Sequence, residues 1–211
     1  MAVVNRWVEP EWAKEYLERR ESIPHRGEGY AAVLELLACG DEITRVLDLG
    51  TGDGYTLGRV LAAYPVAVGV GLDFSTEMLG RARAHFGDDP RVEIHAHDLD
   101  HPLPKKFGSF DLVVSSFAIH HCVPERQRAL YGEVFECLTP GGRFVNLEHV
   151  ASPTPALHDE FLAALGAEDD PSNKLVAVGT QLGWLRDIGF IDVDCFWKWR
   201  ELALLSGRRP S

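Results

Sequence analysis

Val46-Leu47-Asp48-Leu49-Gly50-Thr51-Gly52-Asp53-Gly54 is a short apolar run that ends in three glycines at alternate positions. The next stretch, Tyr55–Ala63, has Leu57, Val60 and Leu61 at helical spacing. A strand that turns this sharply into a helix needs glycine for positive φ and for close backbone approach. Such a bend lies at a helix N-terminus, where N–H groups and the dipole favour an anionic group. In an open parallel sheet it is also the switch point where ligands bind. The spacing is G-x-G-x-G, not the G-x-G-x-x-G of dinucleotide folds, and no G-K-[ST] follows, which excludes a P-loop. Asp48 would repel a pyrophosphate. Asp48 and Asp53 suit a cationic ligand instead.

Outward from this bend the chain alternates. Val66–Leu72, Val92–His95, Phe110–Ser115 and Arg143–Leu147 read as strands, and Ser75–Phe86 and Glu125–Leu138 as helices between them. Near-continuous apolar strands, each followed by a helix, predict a parallel sheet covered on both faces. Helices are expected over 11–21 and 28–39, parted by a Pro/Gly break, and again near 155–166 and 174–188. Phe190–Trp199 and Glu201–Ser206 leave no room for a crossover helix and predict an antiparallel hairpin. The expectation is one domain over 1–211, with 1–40 a helical cover, 41–211 the core and 151–175 a lid over the site.

Composition narrows the partners. The 211 residues carry 21 Lys and Arg against 32 Asp and Glu, a formal net charge of −11. A duplex-binding surface needs concentrated cations, so nucleic acid is not the expected partner. Four scattered cysteines, none in C-x-x-C, suit a reducing compartment. No signal-like start and no apolar run of about 18 residues is present. The expected setting is cytoplasmic, without a membrane, and a homodimer is left open.

Two more acids follow strand ends. Asp73, in Gly71-Leu72-Asp73-Phe74, lies 25 residues after Asp48, about where a carboxylate accepts ribose hydroxyls. Asp98, in His97-Asp98-Leu99, follows the third strand. Acids at three successive strand ends, around one glycine bend, describe a nucleoside site without phosphates.

VLDLGTGDG (46–54), GLDFS (71–75), HDL (97–99), FDLVVSSFAIHH (110–121) and LTPGGRF (138–144) together resemble the successive motifs of class I S-adenosylmethionine-dependent methyltransferases, of the small bacterial type. The resemblance implies an α/β, Rossmann-like, mostly parallel seven-stranded sheet in the order 3-2-1-4-5-7-6, with the last strand antiparallel. It implies S-adenosylmethionine as cofactor, with the glycine loop at the methionine part, Asp73 at the ribose and Asp98 at the adenine amine. The cofactor-binding residues it implies are Asp48, Gly50, Thr51, Gly52, Gly54, Asp73, Phe74, Met78, Asp98, Leu99, Ser115 and Arg26. Arg26 or Tyr16 would reach the methionine carboxylate or the substrate.

Methyl transfer from a sulfonium rests largely on positioning, but a hydroxyl or an activated carbon needs a base, and histidine suits that work. His120 and His121 follow the fourth strand and His149 ends the fifth. These three are the candidate catalytic residues, expected to converge on the substrate. His95, His97 and His101 invite a metal reading, but no cysteine joins them, so solvated loop histidines are expected and no metal is assigned. The Asn-Pro-Pro-Tyr signature of base and glutamine methyltransferases is absent, and the cysteines do not suit arsenite methylation. The expected activity is methylation of a small molecule at oxygen, nitrogen or carbon. Two alternatives are an enzyme resembling carboxy-S-adenosylmethionine synthase and a non-catalytic S-adenosylmethionine-binding partner subunit.

Overall fold

The computed structural model describes residues 23–38, 40 and 42–211; the helix expected over 11–21, Tyr16 and most of the expected N-terminal cover lie outside the described residues. Seven strands form one sheet in the order β3-β2-β1-β4-β5-β7-β6. These are β1 (Arg45–Leu49), β2 (Val68–Asp73), β3 (Val92–Ala96), β4 (Phe110–Ser116), β5 (Leu138–His149), β6 (Ile191–Trp199) and β7 (Leu202–Arg208). Strands β1 to β5 pair parallel, whereas β7 runs antiparallel to both β5 and β6. The order and the closing hairpin agree with the sequence expectation.

Six helices flank the sheet among the described residues: α1 (Arg26–Leu37), α2 (Tyr55–Ala63), α3 (Thr76–Phe86), α4 (Pro124–Cys137), α5 (Pro155–Leu165) and α6 (Val178–Ile188). The two-residue period of β1 divides its side chains between two cores. Leu47 and Leu49 join the cluster with Leu130, Tyr131 and Leu185 of α4 and α6, while Val46 joins Leu37, Leu57 and Val60 of α1 and α2. Both faces are therefore apolar, and each fully buried leucine contributes about 1.5–3 kcal/mol relative to exposure.

Local chemistry sets the helix ends. Ser75 caps α3 by accepting the amide of Met78 at 3.5 Å, and Thr154 caps α5 by accepting that of Leu157 at 3.3 Å. Helix α1 begins earlier than expected, at Arg26, and absorbs Gly27. Gly29 is a packing requirement: a Cβ there would stand 2.9 Å from Leu147 Cδ1 and 3.1 Å from the Trp197 ring. Helix α6 begins later than expected, at Val178, because residues 174–177 run without helix after Lys174 gives its amide to the His120 carbonyl at 2.7 Å. No helix among the described residues is long and apolar enough to cross a membrane.

Candidate active site

The carboxyl ends of β1 to β4 open onto one cleft. Gly50, Thr51 and Gly52 form one wall, and Asp73, Phe74 and Met78 the next. Asp98 and Leu99 close that side, and Arg26 faces it from α1. Nine of the twelve residues expected at the cofactor thus share one surface.

The glycine bend holds its shape with its own hydrogen bonds. The Thr51 amide donates to the Leu72 carbonyl at 2.9 Å, that of Gly52 to Asp73 Oδ2 at 2.9 Å, and that of Gly54 to the Thr51 carbonyl at 2.9 Å. Amides used this way are not offered to a phosphate, which accords with a phosphate-free ligand. Gly50, Gly52 and Gly54 all have positive φ, where only glycine is unstrained. A Cβ on Gly50 would meet Ala118 Cβ at 2.2 Å, whereas one on Gly52 would meet nothing within 4 Å. Gly52 therefore presents bare backbone to the cleft.

Three expected residues, Asp48, Gly54 and Ser115, sit behind this wall and not on it. Asp48 is fully buried below the bend, on the face of β1 that packs under α2, and accepts the Thr51 hydroxyl at 2.8 Å. Desolvation raises its pKa to about 7 against the pull of Thr51, with Asp73 and Asp53 adding repulsion. It supports the loop from below through Thr51. Gly54 caps α2 in the left-handed conformation. Ser115 turns inward and donates to the Leu49 carbonyl at 2.9 Å, tying β4 to β1.

Asp73 does face the cleft. Its Oδ1 accepts the Ser75 amide at 2.8 Å while Oδ2 holds Gly52, and burial raises its pKa against these two bonds. Asp98 Oδ1 accepts the Asp100 amide at 3.0 Å. The loop after it is clamped by Arg126, which donates to the Leu99 carbonyl at 2.6 Å and the His101 carbonyl at 2.8 Å while paired with Glu133. The solvated reading of the histidines fails for His97. It lines the cleft, with Nε2 buried and without a hydrogen-bond partner. His95 turns away, to Glu93 at 2.9 Å and the Phe107 ring.

The opposite side carries residues the sequence reading did not single out. Tyr30 hydroxyl accepts from Arg26 Nη2 at 2.9 Å and from Ser116 Oγ at 3.2 Å. The Arg26 guanidinium lies 4.5 Å from the Phe117 ring centre, a cation–π contact. Phe117 has φ 54°, a conformation costing about 1–3 kcal/mol in a non-glycine residue. Its amide is held by the Leu147 carbonyl at 2.8 Å. This kink carries Ala118 against Gly50 and starts the 3₁₀ turn Ile119–His121.

The three candidate histidines converge, but only His121 lines the cleft. The His120 and His121 rings are 4.1 Å apart and those of His120 and His149 are 5.5 Å apart. His120 is buried beneath, with Nδ1 2.5 Å from Glu148 Oε1 and its amide on Oε2 at 3.1 Å. Burial holds His120 well below the ordinary imidazole range and takes His121 down to about 3, with Glu148 and Asp170 pulling His121 back up. Burial also pushes Glu148 up to about 7. His149 is directed elsewhere, to Glu201 at 2.8 Å, which His158 of α5 also meets at 2.8 Å. The expected lid, 151–175, is thus anchored through His158 and through Lys174, whose carbonyl accepts from Gln127 at 2.8 Å.

These residues fit S-adenosylmethionine: bare backbone at Gly52 and a buried carboxylate, Asp73, at a strand end. A family profile described as "Methyltransferase domain" matches residues 46–142. An uncharacterized methyltransferase of Synechocystis is 38% identical over 143 residues, 68% of this chain and 64% of that one. The chain spans about half the length of other curated relatives it matches, 53% for a Mycobacterium bovis methyltransferase. The S-adenosylmethionine-dependent methyltransferase SibL is 26% identical, with TM-score 0.66 over 83% of this chain and 54% of that one. A putative methyltransferase solved with the Haloferax volcanii Trm112 activator shares the fold over all of both chains, with TM-score 0.69 at 22% identity.

Proposed function

Because this chain belongs to the class I S-adenosylmethionine-dependent methyltransferases, we propose that it methylates a small molecule at an oxygen, nitrogen or carbon that must give up a proton. The observation that carries this reading is His121 on the cleft wall above the buried His120–Glu148 pair. An acceptor that loses no proton would have little use for such a pair.

In this reading Gly50 to Gly52 hold the methionine part of the cofactor, Asp73 the ribose and Arg26 the carboxylate. Phe74, Met78 and Leu99 flank the base. Bound there, S-adenosylmethionine supplies a methyl group on a sulfonium. The rest of the work belongs to the protein. Tyr30, Phe117 and Ala118 shape the acceptor side and exclude water. His121 is neutral at pH 7 and accepts a hydrogen bond from the acceptor's O–H, N–H or C–H. A proton moving onto His121 works against the burial and the neighbouring His120 that lower its pKa, and an ionised Glu148 and Asp170 offset part of that cost.

The test is turnover with phenols, amines and activated carbon acids, reading S-adenosylhomocysteine formation. Product with at least one class is expected. Binding of S-adenosylhomocysteine without turnover on any acceptor would turn the assignment toward a binding subunit, and binding of NAD in its place would end it.

A further inference from the structure

Resting on the reading of His121 as the base, we infer that His158 is a positioning residue: it bridges Glu201 of the sheet to Asp169 and so keeps Ser172 and Asp170 against His121. His158 lies on α5, of which only Phe161 is buried. The Phe161 ring lies 5.3 Å from that of His149 and 5.9 Å from that of Trp199. The polar links of α5 to the β6–β7 corner are His158 Nδ1 to Glu201 Oε1 at 2.8 Å and the exposed Glu160–Arg200 pair at 3.4 Å.

The bridge continues from the other ring nitrogen. His158 Nε2 lies 3.6 Å from Asp169 Oδ1, an ion pair and not a hydrogen bond. The next residue, Asp170, accepts the Ser172 amide on Oδ1 at 2.9 Å and the Asn173 amide on its carbonyl at 3.0 Å. Ser172 is buried and brings Oγ to 3.5 Å from His121 Nδ1. Asp170 also acts on His121, pulling its pKa up against burial. His158 thus heads the turn that touches the base.

The proton on His158 decides whether the bridge holds. Burial pushes the Glu201 carboxyl up, but hydrogen bonds from His149, Ser152 and His158 outweigh it and leave it below the ordinary range. Glu201 is therefore ionised at pH 7. Only the imidazolium carries an N–H on both nitrogens. Neutral His158 keeps the Nδ1 proton for Glu201 and turns a lone pair toward the Asp169 carboxylate. The Glu201 hydrogen bond holds the His158 pKa above its ordinary 6.5 against burial, with Asp169 and Asp159 adding to it. The stabilisation is complete below pH 6.5 and is lost as pH rises through the raised value. His149 faces the same carboxylate from β5, on Glu201 Oε2 at 2.8 Å.

The test is amide exchange by NMR on the ligand-free protein at pH 6 and pH 9, corrected for intrinsic rates and read at Ser172 and Asn173. In the wild type their protection should fall about two- to fivefold as pH rises. His158→Lys keeps its charge at pH 9 and should hold the low-pH value. His158→Gln carries none and should show the high-pH value throughout. In turnover, the kcat of His158→Lys relative to the wild type should rise over the same interval, a ratio from which the titration of Glu148 cancels. Wild-type protection that does not change with pH, equal pH dependence in all three proteins, or a flat kcat ratio overturns the inference and leaves His121 as the base. Undiminished turnover in His121→Ala overturns the base reading and the inference with it.

Discussion

His120 Nδ1 and Glu148 Oε1 stand 2.5 Å apart under the wall that carries His121. Glu148 also accepts the amides of His120 and His149, at 3.1 and 2.8 Å. One carboxylate therefore fixes both the turn after β4 and the end of β5.

In the proposed mechanism Glu148 should set the pH at which the site works. With its pKa pushed up to about 7, kcat should rise through pH 7 as it ionises. Glu148→Gln should lose about 10²-fold in kcat and flatten that limb, and His121→Ala should lose about 10²–10⁴-fold. A pH–rate profile from 5 to 9 checks both, and a Glu148→Gln enzyme that keeps the wild-type inflection would remove Glu148 from the scheme.

Asp48 should reveal itself in stability. Its folded pKa of about 7 lies above its ordinary 3.8, so between these values the native state holds a proton that the unfolded chain has lost. Its stabilising contribution is complete below pH 3.8 and is lost as pH rises to 7. Asn does not titrate, so the Tm of Asp48→Asn relative to wild type should climb from pH 4 to 7 and then level off. Thermal melts of the ligand-free protein across that range suffice.

The two glycines of the bend should separate folding from binding. Gly52→Ala costs about 1–2 kcal/mol for the left-handed backbone, yet its methyl enters the cleft and should weaken S-adenosylhomocysteine binding at least tenfold. Gly50→Ala adds the Ala118 clash at 2.2 Å and should lose more stability than Gly52→Ala. Melting and calorimetry on the two variants distinguish these effects.

His149 should matter more for stability than for chemistry. Its removal leaves Glu201, which is fully buried, with one partner fewer. His149→Ala should cost about 1–3 kcal/mol while kcat changes far less than in His121→Ala. A kcat loss equal to that of His121→Ala would place His149 in the catalytic machinery after all.

The sheet was readable because its strands are written as apolar runs. Tyr55–Ala63 matches the structure residue for residue, and the crowded C-terminal segments could only form a hairpin. Asp73 and Asp98 were readable as acids at strand ends. Which histidine faces the ligand was not, because that depends on the positive φ of Phe117, a tertiary effect with no local sequence signal. Tyr30 was hidden in the same way: its hydroxyl meets Ser116, 86 positions away. For Glu148 a signal existed, an acid followed by a histidine at the end of an apolar strand, where a buried charge demands a partner. The depth of Asp48 followed from β1 parity, since it shares a face with Val46.

The hairpin of β6 and β7 has a consequence for how this architecture could diversify. Strand β6 runs in the direction of β5 and ends on the same rim, so the Arg200–Glu201 corner from which β7 turns back lies there, and Glu201 grips both His149 and His158. A crossover helix would have carried that corner to the far edge. Substitutions in a two-residue corner therefore act on the end of β5 and the anchoring of α5, while the cleft over β1 to β3 stays untouched.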